Sequence, residues 1–204
     1  MATVLEALET DPLVLHFRPA VKMTEDQFFE FCQINRFWRI ERTAQEDILI
    51  MSPVGGEGSS RNAGLSAQLW AWAEQDGTGV AFESSAGFTL PNGATRSPDA
   101  AWVRKSRLRN VSAEQKEKFL PLCPDFVVEL RSATDRLPTL KAKMQEYIEN
   151  GALLGWLIDP RPRQVYVFRP HTEAERLEEP DTLSGAPELP GFVLDLRRIW
   201  DPGF

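Results

Sequence analysis

Two acids stand in strand-like apolar runs where a carboxylate is costly: Glu129 near the end of PDFVVEL and Asp99 at the head of SPDAAWV. A carboxylate taken out of water among apolar neighbours has to be paired, protonated or set against a metal ion. Alternation along a strand puts Phe126, Val128 and Leu130 on one face, and Asp125, Val127, Glu129 and Arg131 on the other. Asp99 likewise shares a face with Ala101 and Val103, neighbours that leave room beside it. If the two strands are adjacent, the carboxylates converge within reach of one divalent cation. Hard oxygen donors of this kind suit Mg²⁺ or Mn²⁺, with water and a substrate phosphate completing the shell. The competing reading is that each acid ends its strand and pairs with an arginine.

Further side chains are placed to join them. In the helix-like run after SATDRLP, Leu140, Met144, Tyr147 and Ile148 form a core-facing stripe, with Lys143 beside it. The long stem of Lys143 could carry its ammonium over the sheet edge, to orient water or stabilise charge developing on a phosphate. A plain surface lysine is the alternative, and Lys141, pointing elsewhere, is expected in solvent. Glu57 lies in PVGGEG at the mouth of an earlier helix. It is a third candidate ligand, although the helix dipole favours an acid there in any case. Asn62, further into that helix, could position water, and Glu83 beside a strand-like run is a fourth acid.

Other chemistry finds little support. His16 and His171 are the only histidines and form no HExxH, no serine sits in a GxSxG elbow, and PVGGEGS lacks the GK[ST] ending of a phosphate loop. Cys32 and Cys123 are far apart and outside any CxxC, and read as reduced, partly buried thiols of a cytoplasmic protein. No apolar run reaches the roughly 20 residues of a membrane span, and the acidic N-terminus does not resemble a signal peptide. A net charge of −7 argues against a bulk electrostatic grip on nucleic acid. It leaves room for local ones at Arg104, Lys105, Arg107 and Arg109, or at Arg131, Arg136, Lys141 and Lys143 around Glu129.

The elements that must position these groups can be read along the chain. Residues 1–20 suggest an irregular arm or weak strand. Thr24, with Gln27 three residues on, signals a helix start, and FWRIERT and EDILIMSP read as strands. Leu65, Leu69 and Trp72 give one buried face to a helix over about 59–75. Asn92-Gly93 is the strongest hairpin signal, and a helical piece follows around 112–119. A strand over 125–130 leads to a helix over about 139–150 that stops at Gly151. GWLIDP and QVYVFRP read as two strands, and LPGFVLDLRRIW as a short final element. Trp70, Trp72, Trp102 and Trp156, of the six tryptophans, fall in patterned helices or strands, and core packing is the better account for most of them. With 42% hydrophobic positions in 204 residues and no internal repeat, one α+β domain over 1–204 is the economical assignment.

The ordered set SPDAAWV, PDFVVELRSATD, KMQEYIENGALLGWLIDP and VYVFRP, preceded by ILIMSPVGGEGSSRN, resembles the Uma-type family of proposed restriction endonucleases, abundant in cyanobacteria, over about residues 22–200. The resemblance implies the PD-(D/E)xK nuclease-like fold: a central mixed sheet flanked by helices, here with an additional N-terminal helix and strands. It also implies acidic residues that bind Mg²⁺ (or Mn²⁺) for phosphodiester cleavage. By position, Asp99 would be the acid of the PD motif and Glu129 the acid that follows. The superfamily's usual lysine position holds Arg131, and Lys143 matches the lysine this family carries on the next helix. Glu57 corresponds to an acidic position near the first core helix. DNA is then the expected substrate, and a homodimer would set two sites against opposite strands. The alternative is a nuclease-fold protein without turnover that binds nucleic acid or serves in assembly.

Overall fold

The computed structural model describes residues 12–204, so the part of the expected N-terminal arm before residue 12 lies outside the described residues. A short strand β1 (Leu13–Leu15) leads to helix α1 (Glu25–Ile34). The Thr24 hydroxyl accepts the Gln27 N–H at 3.2 Å, and the Gln27 side chain accepts the Thr24 N–H at 2.9 Å. Two otherwise orphaned donors are satisfied in this way. Strands β2 (Arg39–Arg42) and β3 (Ile48–Met51) form a hairpin, against which α1 buries Phe28 between Ile40 and Ile48. The Arg42 guanidinium lies 4.8 Å from the Phe28 ring centre and seals that contact.

Helix α2 (Gly56–Asp76) begins earlier than the pattern predicts, because Gly55 caps it without any side-chain bond. It ends at Gly77, whose φ of 69° suits a residue without Cβ. Strand β4 (Gly79–Glu83) follows, then β5 (Phe88–Thr89) and β6 (Thr95–Arg96), joined by the Asn92-Gly93 turn, and β7 (Ala100–Arg104). Gly79 is needed for packing, since a Cβ there would stand 2.1 Å from the Trp102 ring. Two single-turn helices, α3 (Lys105–Leu108) and α4 (Ala113–Lys116), precede β8 (Phe126–Leu130) and α5 (Leu137–Glu149). The chain closes with β9 (Leu154–Asp159), β10 (Gln164–Phe168), β11 (Glu175–Glu178), β12 (Thr182–Ser184), β13 (Val193–Asp195) and α6 (Arg197–Trp200). The exposed, charged ERLE of β11 has no apolar alternation and escapes a sequence reading, as does β12.

The central sheet has the order β11-β10-β9-β8-β7-β4. It is mixed: β8 and β9 run parallel, with α5 as their crossover, and the other neighbours are antiparallel. One face, carrying Trp102, Phe126, Val128, Trp156 and Val165, packs on Leu65 and Leu69 of α2 and on Leu194 and Ile199 near the C-terminus. The other face, carrying Ala101, Val103, Val127, Leu157 and Phe168, packs on Met144, Tyr147 and Ile148 of α5. This is the α+β layering of a mixed sheet between helices, with an N-terminal helix and strands added. Of the tryptophans read as core, Trp102 and Trp156 are buried, whereas Trp70 is 59% exposed. A second, antiparallel sheet has the order β1-β3-β2-β6-β5. The chain passes from one sheet to the other through Ser97-Pro98-Asp99, between β6 and β7.

Candidate nuclease-like site

That crossing point positions the first acid. The β7–β8 register pairs Ala101 with Val127 and Ala100 with Val128. One step further, it sets Asp99 across from Glu129 on the same face, and opposing Cβ atoms in such a pair stand about 5 Å apart. Asp99 is 7% exposed and Glu129 4%. Asp99 Oδ2 accepts the Leu130 backbone N–H at 2.8 Å, which ties the two strand ends together. Its Oδ1 accepts from Arg39 Nη1 at 3.0 Å and from Asn62 Nδ2 at 3.4 Å. Arg39 also donates to the Ser97 carbonyl.

Glu129 receives Lys143 Nζ at 2.8 Å and the Tyr147 hydroxyl at 3.0 Å, both from α5. The Lys143 ammonium lies between two carboxylates, for it stands 2.8 Å from Glu41 Oε1 as well. Glu41 comes from β2, in the other sheet, and is buried. The same Oε1 accepts the Ser97 N–H at 3.0 Å, and Oε2 accepts from Arg96 Nη1 at 3.1 Å. Arg96 then reaches Glu146 of α5 at 2.6 Å. The cluster therefore draws on both sheets, α2 and α5. Its cations, Arg39, Arg96 and Lys143, interleave with the carboxylates of Glu41, Asp99, Glu129 and Glu146.

Electrostatics separate the two buried glutamates. Burial, with added repulsion from Asp99 and Glu41, raises the Glu129 carboxyl to about 7 despite the opposing pull of Lys143. Glu41 is equally buried, but Lys143, Arg96 and Arg39 overcome that desolvation and lower it to about 2. Lys143 is held above its ordinary value: burial disfavours its charge, and Glu129 and Glu41 more than restore it. Tyr147 is raised well above its ordinary value, first by burial and then by the same two carboxylates. At neutral pH Lys143 is thus a cation and Glu41 an anion, whereas Glu129 is poised between its two states.

The sequence-level candidates divide. Asp99, Glu129, Lys143 and Asn62 share one set of contacts. Glu57 does not enter it: its side chain is 61% exposed and pairs with Arg61 one turn on, at 2.9 Å. Glu83 is exposed and accepts the Ser85 N–H at 3.1 Å, closing the turn after β4. Arg131 shares the Glu129 face, but its guanidinium bonds Asp159 at 2.5 Å and the Asp135 carbonyl at 3.0 Å. Lys141, expected in solvent, covers the Tyr166 ring with its Nζ 3.8 Å from the ring centre. Arg39, Glu41, Arg96, Glu146 and the Tyr147 hydroxyl are the members that pattern reading misses. Arg39 and Glu41 alternate with Ile40 like the polar side of any half-buried strand, and only the docking of the second sheet buries them.

Among the described residues, no group of three or more His, Cys, Asp or Glu side chains is arranged to hold a metal ion. A magnesium ion asks for less, since it keeps several waters and is commonly held by one or two carboxylates. Asp99 and Glu129 supply such a pair. Asn62 turns its Nδ2 toward Asp99, and among the described residues its Oδ1 is buried with no hydrogen-bond partner, so it is not counted with the two carboxylates. The two carboxylates are hard oxygen donors of the type that suits such an ion.

Elsewhere, a cavity of about 520 Å³ is lined by Val80, Phe82, Leu108 and Leu120 with Lys105, Arg109 and Lys116. It lies toward the other end of β7 and shares no residue with the cluster. In the basic run beside it, Arg104 and Arg107 pair with Asp125, and Lys105 donates to the Gly77 carbonyl.

A family model described as "Uma2: Putative restriction endonuclease" matches residues 25–197. A solved structure, a "putative nuclease belonging to DUF820" from Anabaena variabilis ATCC 29413, superposes with a TM-score of 0.71 at 21% sequence identity. The match covers 88% of this chain and 98% of that one. No curated protein matches the chain.

Proposed function

The chain belongs to the Uma2 family, in the PD-(D/E)xK-like nuclease superfamily, and from that premise we propose that it is a Mg²⁺- or Mn²⁺-dependent endonuclease that hydrolyses phosphodiester bonds in DNA. The observation that carries the reading is the set of contacts around Asp99, Glu129 and Lys143. It gathers two cross-strand carboxylates and a buried ammonium at the facing ends of β7 and β8.

In this reading Asp99 and Glu129 would hold the cation, and Asn62, whose Nδ2 faces Asp99, would help position water beside it. When bound, the ion supplies Lewis-acid polarisation of the phosphodiester and an acidified water at neutral pH. The chain's own groups do the rest. The Leu130 N–H and Arg39 fix the Asp99 carboxylate, so that it is aimed before substrate arrives. The Tyr147 hydroxyl and Lys143 fix Glu129 in the same way. Lys143 then offers positive charge to the attacking water or to the phosphate oxygens as their charge grows. Such fixed charge is effective because the water-poor surroundings of the cluster screen it weakly. Arg131 is tied to Asp159 and supports the end of β8 rather than the reacting atoms.

Two copies of the chain would bring two such sites to opposite strands, and a homodimer is part of the proposal. A second reading, a nuclease-fold protein that binds without cutting, draws on the engagement of every acid in the cluster by the protein's own cations. Incubation of the protein with plasmid and linear DNA, and with RNA, plus Mg²⁺, Mn²⁺ or EDTA, separates them. Cation-dependent cleavage of DNA supports the first reading, and binding without cleavage supports the second.

A further inference from the structure

We propose that Glu41 is the positioning residue of this site, anchoring the Lys143 ammonium from the second sheet so that it stays in place when Glu129 is engaged by a cation. The inference rests on the nuclease reading and extends it to a residue outside the acid–acid–lysine set. Lys143 Nζ sits 2.8 Å from both Glu129 and Glu41. An ammonium has three donors: two go to these carboxylates, and the third remains for water or a phosphate oxygen. Lys143 and the Tyr147 hydroxyl both meet Glu129 at Oε1, so a cation held at Oε2 would share the same carboxylate charge with the ammonium and weaken the hold of Glu129 on Lys143. Glu41 holds the ammonium without that competition, since its partners are protein donors on both oxygens: Lys143 and the Ser97 N–H on one, Arg96 on the other. That occupancy also keeps Glu41 from acting as a ligand itself. Arg96 depends on Glu41 less than Lys143 does, for it has Glu146 at 2.6 Å. Lysine on its flexible four-carbon stem, by contrast, needs a second fixed point to hold one direction.

The test uses the full chain with Glu41→Gln, Lys143→Met and the double variant. Glu41→Gln should bind Mn²⁺ in calorimetry within about threefold of the parent and keep KM for duplex DNA. Its kcat should fall roughly tenfold to a hundredfold, the usual scale for a loosened electrostatic contact. In the Lys143→Met background the same change should have little further effect, because the two side chains act as one unit. A merely structural role for Glu41 would instead lower kcat by the same factor in both backgrounds, and that result, or full turnover in Glu41→Gln, overturns the proposal.

Glu41→Asp keeps the buried charge and shortens its reach by one methylene. It should lose kcat while melting close to the parent, and unchanged kcat in a folded Glu41→Asp protein counts against the anchor. If the parent cleaves neither DNA nor RNA, the nuclease reading fails by itself, and the anchor is decided by NMR in the presence of Mg²⁺. A slowly exchanging lysine Nζ signal, assigned to Lys143 by its loss in Lys143→Met, should be present in the parent and absent in Glu41→Gln. Its persistence in Glu41→Gln overturns the proposal.

Discussion

Replacing Glu129 by glutamine should make the metal-free protein more stable above neutral pH, although it removes a buried partner of Lys143. Burial and the neighbouring carboxylates lift Glu129 from an ordinary 4.5 to about 7. The folded state therefore holds a proton that the unfolded chain releases between those values. The group favours folding fully below about 4.5, and that contribution is lost as pH rises through about 7. At 1.36 kcal/mol per unit, the difference amounts to about 3 kcal/mol at most. Glutamine has no charge to desolvate and still offers an oxygen to Tyr147 and Lys143, while Glu41 keeps Lys143 paired. Some of the gain is lost with the counter-charge, which leaves about 1–3 kcal/mol. For a chain of this length that is a rise in Tm of about 2–12 °C. Thermal unfolding in EDTA across pH 4.5–8.5 should show the variant ahead at pH 8 and the two proteins converging toward pH 4.5. Mg²⁺ should then stabilise the parent and leave the variant nearly unmoved, because only a state that binds the ion gains from it. A Glu129→Gln protein that is less stable than the parent at pH 8 in EDTA, by an amount that does not shrink in acid, would refute the reasoning.

Lys143→Met should keep Mn²⁺ affinity and lose about 3 kcal/mol of transition-state stabilisation, roughly a hundredfold in kcat; full turnover would move attention to Arg131 on the same face. Glu57→Gln should change neither Mn²⁺ affinity nor kcat measurably, since its exposed carboxylate is engaged by Arg61; a tenfold weaker Mn²⁺ affinity by calorimetry would return Glu57 to the ligand set. In the parent, Mn²⁺ affinity should fall by up to tenfold per pH unit below about 7, because the ion has to displace the Glu129 proton; a flat calorimetric profile from pH 5.5 to 7 would contradict that assignment.

The local rules carried much of this architecture into the sequence. Thr24 with Gln27 marks the start of α1, and strand alternation alone places Glu129 and Asp99 on one face of their strands. The helical stripe of Met144, Tyr147 and Ile148 announces the face of α5 that covers them. What stays hidden depends on tertiary docking. Glu41 looks like the solvent side of a hairpin until β2 docks at the ends of β7 and β8, and no spacing rule links it to Lys143 about a hundred positions away. Arg96 and Asp99 flank Pro98, but the residues do not say that this bend joins two sheets. The early start of α2 is invisible because a glycine cap carries no side-chain signal. Trp70 is the exception among the patterned tryptophans for the opposite reason: it lies on a patterned helix, but off the face that Leu65 and Leu69 bury.

The central claim, that Asp99 and Glu129 hold one catalytic cation, is tested most directly by titrating Mn²⁺ calorimetrically into the parent, Asp99→Ala and Glu129→Ala, with cleavage of duplex DNA followed on the same samples. The account predicts one Mn²⁺ site per chain in the parent, loss of that site and of cleavage in both variants, and melting curves that show both still folded. Unchanged Mn²⁺ affinity in both folded variants, or cleavage that survives in either, would contradict it.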